Sequence, residues 1–282
     1  MEKFERPSVL QSFLERKEKQ KKSIGFVPTM GSLHDGHLSL IKQSKLENDI
    51  TIVSIYVNPS QFNDEKDFLN YPVNLEKDIC LLQQINCDVL FLPNTKDMYK
   101  DGFELINIEL GNLETTLEAK ERPGHFKGVL FIVNKLFKII CPHRTYFGEK
   151  DFQQLLIIKE LGRRYFKDIS IITCSTIRDN DGLAMSSRNK KLTKNQLNIA
   201  KKVFNLLKCT AQVIKKDGIQ KAKMGVNDFF YQKEQINLDY FEIIDEKTFS
   251  AVNILNKTKT HRLMIAFKIG NVRLIDNLKL KL

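Results

Sequence analysis

Residues 23–40 read SIGFVPTMGSLHDGHLSL and place two imidazoles, His34 and His37, three positions apart. An apolar run (Ile24, Phe26, Val27) stops at Pro28, passes a small-residue turn at Gly31 and Ser32, and reaches His34-Asp35-Gly36-His37 before an apolar helical pattern resumes. That order predicts strand, turn, helix. Side chains three apart at a helix start share a face, and the first-turn N–H groups, which have no intrahelical acceptor, point the same way. Such a place receives anionic oxygens, and a phosphate chain fits it. One histidine alone would read as a cap or a surface residue. Two of them around a glycine, directly after an apolar strand, favour a ligand. Zinc fits less well, because no third or fourth ligand stands nearby at finger-like or HExxH spacing, and no metal-ligating residue is assigned.

Other polar groups stand where a parallel sheet would present them. Residues 50–57 (ITIVSIYV) are apolar or β-branched almost throughout, as a strand covered on both faces must be, and they end in Asn58-Pro59-Ser60-Gln61-Phe62. Amides just past a strand's carboxyl end lie where open α/β sheets bind ligands. Gly148-Glu149-Lys150-Asp151 begins a helix carrying Gln153 and Gln154. Lys150 suits either a phosphate or a helix-start ion pair with Asp151. Adjacent helical residues diverge by about 100°, so only one of the two glutamines can face a given pocket. Ser186-Ser187-Arg188 taken alone is a polar loop, and His125 in the turn-rich Arg122–Gly128 segment either contacts a substrate or caps the helix after it.

The elements that must position these groups follow a βαβ rhythm. Helices are predicted over Val9–Lys21, Leu75–Gln84 and Val129–Ile140, and strands over Ser23–Val27, Asp88–Leu92, Tyr146–Phe147 and Ile169–Ser175. Beyond Ile177 a polar segment leads into two basic helical stretches and strands at Leu238–Ile244, His261–Ile269 and Val272–Ile275. A first domain at residues 1–176 and a smaller second one at 177–282 are expected.

With 282 residues, 42% of them hydrophobic, the chain can bury a substantial core. No stretch approaches the roughly 18 apolar residues of a membrane span and no apolar signal core opens the chain, so a cytoplasmic address is expected. Five cysteines lack any C-x-x-C pair, which argues against a zinc ribbon or a disulfide framework. The net charge of +11 is concentrated in residues 189–224, where ten lysines face one acid, Asp217. Those lysines alternate with Leu192, Leu197, Val203, Leu206, Leu207 and Val213 at helical spacing, which favours a solvated helix face over a nucleic-acid patch.

Taken together, PTMGSLHDGH (28–37), VNPSQF (57–62), RPGHFKGV (122–129), FGEKDFQQ (147–154), DGLAMSSRN (181–189) and RLIDN (273–277) closely resemble the pantoate–β-alanine ligases, a family of the HIGH-motif nucleotidyltransferases. The resemblance spans nearly the whole chain. It implies a Rossmann-like parallel-sheet domain binding ATP and pantoate, with a smaller α+β C-terminal lid. It also implies an AMP-forming ligase that makes pantothenate from (R)-pantoate and β-alanine through a pantoyl-adenylate, in coenzyme A biosynthesis.

ATP and Mg²⁺ are the implied cofactors, the state is a homodimer, and neither nucleic acid nor membrane is a partner. By residue, Met30, Gly31, Ser32, Leu33, His34, Asp35, Gly36 and His37 would form the ATP loop, with His37 as general acid beside His34. Gly148, Glu149, Lys150 and Asp151 would meet the phosphates, as would Ile177, Met185, Ser186, Ser187 and Arg188, the last three like a KMSKS loop. Gln61 and Gln154 would hold pantoate, and Gln61 also β-alanine. Asp78 is a weak candidate for Mg²⁺. Two positions depart from the family pattern: Val73 stands where an Arg usually follows Tyr-Pro, and His143 where an acid is common. Both are expected to be peripheral. Another adenylyltransferase of the superfamily would have no reason to keep NPxQF and FGEKDxQQ.

Overall fold

A strand that is apolar at every position needs cover on both faces, and the runs at 24–29 and 50–55 find it in the middle of a parallel sheet flanked by helices. The computed structural model describes residues 1–232 and 235–281. They fall into two compact units, one of residues 1–114 and 118–175, the other of residues 115–117 and 176 onward.

The first unit opens with β1 (Glu2–Phe4), α1 (Pro7–Lys19), β2 (Ile24–Thr29), α2 (Asp35–Glu47) and β3 (Ile50–Ile55). It continues through α3 (Glu65–Leu69), α4 (Leu75–Gln84), β4 (Val89–Phe91), α5 (Thr95–Met98) and α6 (Glu118–Glu121). It closes with α7 (His125–Ile140), β5 (Arg144–Gly148), α8 (Phe152–Tyr165) and β6 (Ser170–Cys174). The strands form one sheet in the order β1-β4-β3-β2-β5-β6, with each neighbouring pair parallel. Winding runs one way through β3 and β4 and the other way through β5 and β6. It therefore reverses between β2 and β5, and the crevice at the carboxyl ends of these strands is where such a sheet takes ligands.

Close packing sets the helices on this sheet. A Cβ at Gly25 would overlap Ser44 Oγ and the Asn48 amide, so α2 lies directly on β2 only because residue 25 has no side chain. At the lower end of that contact the buried Tyr146 hydroxyl accepts from Asn48 Nδ2 at 2.7 Å and donates to Glu47 Oε2 at 2.8 Å. Burial first, then the Glu47 hydrogen bond, push the phenol's pKa up, so it stays a donor.

Within this unit, strand β1 and the start of α7 depart from the sequence reading. Strand β1 was not expected, since three residues with two charges carry no periodicity, yet Glu2, Lys3 and Phe4 pair with Val89, Leu90 and Phe91. Helix α7 begins at His125, four residues before the expected Val129: Gly124 turns the chain at φ 84°, and Gly128 is already helical.

The second unit packs α9 (Lys194–Asp217) and α10 (Ile219–Tyr231) on an antiparallel sheet of β7 (Ile236–Asp245), β8 (His261–Ile269) and β9 (Val272–Leu280). A capping box between Thr193 and Gln196 starts α9, and Gly218 at φ 90° ends it. Val203, Leu207 and Ile214 from α9 join Val226 and Phe230 from α10 over Leu263, Ile265 and Phe267 of β8. Strand β9 runs five residues past its expected end at Ile275, because its polar continuation is buried with partners: Asp276 takes both ends of the Arg178 guanidinium, at 2.7 and 2.8 Å. No helix among the described residues is long and apolar enough to cross a membrane.

Candidate active site

The loop after β2 is held in a shape it would not choose unaided. Gly31 (φ 80°) and Ser32 (φ 52°) are both left-handed, a conformation that strains Ser32. Asp78, reaching from α4 and only 1% exposed, compensates: Oδ2 accepts the Ser32 N–H and Oδ1 the Leu33 N–H, both at 2.7 Å. Below them Thr29 Oγ1 accepts from Gly31 N at 3.1 Å and donates to the Ser54 carbonyl at 2.8 Å, tying the turn to β3. Both Asp78 oxygens are thus on backbone N–H groups, and the carboxylate's part here is to hold the turn.

From this turn the chain enters α2 with His34 as its N-cap. His34 Nδ1 accepts from Gly36 N at 3.2 Å, so the neutral ring carries its hydrogen on Nε2 as a donor. The His34 and His37 rings stack with centroids 4.0 Å apart and planes 30° apart. The expected shared face of the two imidazoles is therefore present, at a helix start.

The loop after β3 brings in Gln61 at the end of a 3-10 turn over Pro59–Gln61. Its side chain is nearly buried, with Nε2 2.8 Å from Met30 Sδ and Oε1 accepting from Asn58 Nδ2 at 3.3 Å. A thioether is a weak acceptor, so a ligand hydroxyl or carboxylate is a better partner for that amide. Asn58 itself is locked by the Gly128 carbonyl at 3.0 Å and the Tyr99 hydroxyl at 2.6 Å. A Cβ at Gly128 would collide with the Ser60 carbonyl, so α7 supports this loop by backbone contact.

The loop after β5 supplies Gly148 and the 3-10 turn Glu149–Asp151. Lys150 Nζ stands 3.8 Å from Asp151 Oδ1, a loose pair. In the first turn of α8, Gln153 is buried, accepting from Glu118 N at 3.0 Å and donating to the Leu113 carbonyl at 2.9 Å, whereas Gln154 is partly exposed. The two amides diverge as helix geometry requires. Strands β3, β2 and β5 are adjacent and parallel, so Gln61, the Met30–His37 loop and Lys150 leave the sheet along one rim.

The second unit gathers Ile177, Met185, Ser186, Ser187 and Arg188 on a small hairpin. Met185 N donates to the Ile177 carbonyl at 2.9 Å, and Arg178 bridges Ala184. Ser186 caps the following 3-10 turn, its Oγ accepting from Arg188 N at 3.3 Å, and Asn189 Nδ2 donates to the Ala184 carbonyl at 3.0 Å. The Arg178 guanidinium fixes the hairpin's root by stacking 3.6 Å from the Phe204 ring centroid and bonding Asp276 and the Gly182 carbonyl. Beside it a cleft of about 820 Å³ is bordered by the 178–182 turn and the Asn198, Lys201, Lys202, Asn205 and Lys208 face of α9.

Sequence reasoning missed the supporting roles of three side chains. Asp78, Asn58 and Arg178 carry no local spacing signal, because the partners that define their roles lie 41 to 98 residues away in the chain. Of the two departures from the family pattern, Val73 is exposed, and His143, at the opposite end of the sheet from the rim, accepts the Ile24 N–H on Nδ1 at 3.0 Å. An acid would accept the same hydrogen, which explains the exchange. Among the described residues no group of three or more His, Cys, Asp or Glu is placed to hold a metal ion.

The model of the pantoate-beta-alanine ligase family matches residues 2–279. The pantothenate synthetase of Sulfurihydrogenibium sp. (strain YO3AOP1) is 43% identical over 287 aligned positions, covering 99% of this chain and 100% of that protein. That of Flavobacterium psychrophilum is 40% identical, with 99% of each covered. Among solved structures, pantothenate synthetase from Thermus thermophilus superposes with a TM-score of 0.91 at 34% identity over the full length of both chains. The pantoate-beta-alanine ligase of Francisella tularensis, solved in complex with beta-gamma ATP and beta-alanine, superposes with a TM-score of 0.81 at 40% identity, covering 99% of this chain and 97% of that one. With its motifs in order along a doubly wound sheet and likeness over its whole length, the chain belongs to the pantoate–β-alanine ligase family.

Proposed function

We propose that this protein condenses pantoate with β-alanine, converting ATP to AMP and diphosphate. The observation that carries this reading is the common rim of the His34–His37 helix start, Gln61 and Lys150 at the reversal point of the sheet. In the first step a pantoate carboxylate oxygen attacks the α-phosphorus, and the bond to the diphosphate oxygen breaks. In the second the β-alanine nitrogen attacks the acyl carbon, the bond to AMP breaks, and the amine gives up a proton.

Negative charge builds on the phosphate oxygens in the first step, so fixed donors and cations are what accelerates it. Met30–His37 borders the phosphates and supplies the His34 and His37 rings, His37 acting as general acid on the departing diphosphate. Gly148, Glu149, Lys150 and Asp151 border the phosphates, with Lys150 exchanging its loose Asp151 contact for them. Gln61 and Gln154 hold pantoate, neutral amides that orient it without competing as nucleophiles, and Gln61 also meets β-alanine. Ile177, Met185, Ser186, Ser187 and Arg188 of the second unit bind ATP. Magnesium arrives as part of the substrate, MgATP, held by phosphate oxygens and water. A cytoplasmic address accords with five free thiols, and a homodimer with the family resemblance.

The test is an assay for AMP and diphosphate with ATP, Mg²⁺, pantoate and β-alanine, omitting one component at a time. Diphosphate release in a single turnover that needs pantoate and no amine is the expected result. No turnover with all four present overturns the assignment.

A further inference from the structure

Behind Gln61 a buried polar chain leads to the helix that carries the second pantoate candidate. His125 is 6% exposed, and its Nδ1 lies 2.6 Å from the Gln61 carbonyl oxygen. A carbonyl only accepts, so Nδ1 bears the hydrogen, and Nε2, 3.1 Å from Arg122 Nη1, accepts from the guanidinium. One neutral tautomer satisfies both neighbours. Arg122 Nη2 also reaches the Gln61 carbonyl at 3.5 Å, and Nη1 stands 3.8 Å from Glu118 Oε2. The buried Glu118 in turn donates its backbone N–H to Gln153, the residue before Gln154 on α8.

We infer that Glu118, Arg122 and His125 are positioning residues that set the spacing between the Gln61 and Gln154 amides and so shape the pantoate subsite. The inference rests on the pantoate role proposed for those two residues. Gln61 ends a three-residue turn in a loop, and its side chain is long and rotamer-rich, so its aim depends on how firmly its backbone is held. His125 holds that backbone through the carbonyl. Because Glu118 at the start of α6 and Arg122 just past its end stand one helical turn apart, the same short segment meets both the Gln61 loop and the start of α8. Misplacement by a fraction of an ångström at such a site is felt in substrate binding before it is felt in folding.

The experiment compares wild type, His125→Ala, His125→Asn and His125→Gln, measuring KM for pantoate and for ATP, kcat, circular dichroism and the thermal midpoint. Asparagine puts an amide N–H where Nδ1 was, while glutamine puts its amide near Nε2 and leaves the carbonyl without a donor. His125→Ala is expected to raise the pantoate KM about tenfold with the ATP KM nearly unchanged, and His125→Asn to recover most of the loss. His125→Gln is expected to behave like alanine, and this contrast with asparagine decides the matter should the alanine variant not fold. Equal losses in pantoate and ATP KM, or equal behaviour of the Asn and Gln variants, overturn the inference while leaving the reaction assignment intact. A wild type without pantoate-dependent diphosphate release overturns the assignment first, and this inference with it.

Discussion

Asp78 shows how much a single buried carboxylate does for the loop after β2. It accepts two consecutive N–H groups, from Ser32 and Leu33, and so holds Ser32 in a conformation it would not adopt alone. Asp78→Asn turns one acceptor into a donor facing an N–H group, which is expected to lower stability by about 2 kcal/mol and to raise the KM for ATP more than that for pantoate. Denaturant unfolding and steady-state kinetics on the one variant check both. His37→Ala is expected to slow adenylate formation, measured as single-turnover diphosphate release, far more than it weakens pantoate binding. Equal losses would make His37 a positioning residue instead. The imidazole pair, Gln61 and Lys150 were legible in the sequence because each lies in a short motif directly after a strand. The part Asp78 plays was not legible, since a carboxylate's partners cannot be known until α4 is folded against the loop after β2.

Elements matter here through the contacts that let them approach. Gly128→Ala puts a methyl into the Ser60 carbonyl, and separating α7 from the Gln61 loop is expected to destabilise the protein by roughly 1–3 kcal/mol and to raise the pantoate KM. At the amino ends of β2 and β3, Asp49 accepts from the Ser23 N–H and Oγ–H and from Lys22 Nζ. The Ser23 backbone N–H first, then its hydroxyl and Lys22, hold the Asp49 carboxyl down to about 2. Since the folded value lies below the unfolded one of about 3.9, Asp49 stabilises the protein above about pH 4, and that contribution fades as pH falls through about 2. Asp49→Asn is therefore expected to be less stable at neutral pH and to show a shallower loss between about pH 4 and 2, read from urea midpoints across that range. The long strands and α4 were legible from periodicity, and so was α9. The start of α7 was not, because Gly124 and Gly128 read as a turn when one of them in fact lies inside the helix, where it makes room for a neighbouring backbone.

Across the whole molecule the excess positive charge sits on the second unit's helices. Several of those lysines already have partners: Lys201 with Asp181, Lys221 with Asp217 and Lys223 with Glu242. Binding to tRNA or duplex DNA near about 0.15 M salt is expected to be absent in a gel-shift titration, since Lys202 and Lys208, among those left, line a cleft that also holds Asp179 and Asp181. Within the second unit, Arg178→Ala would leave Asp276 buried without its bidentate partner, and a loss of about 3 kcal/mol is expected. Hydrogen exchange should show that loss in β9 and the 177–185 hairpin. The alternation of strands and helices made the fold class legible from the chain, and its change of texture near residue 176 suggested a second domain. The Arg178–Asp276 tie spans 98 residues, so no local pattern could announce it.

One consequence follows from the way Asp78 grips the turn after β2. The stretch from Pro28 to His37 looks self-sufficient on paper, yet its working shape is lent to it by a residue more than forty positions downstream. Transplanted into another scaffold without a carboxylate at that spot, the signature should relax out of its left-handed pair and lose its grip on nucleotide. A search for catalytic relatives by that signature alone would therefore collect sequences that spell the word and cannot pronounce it.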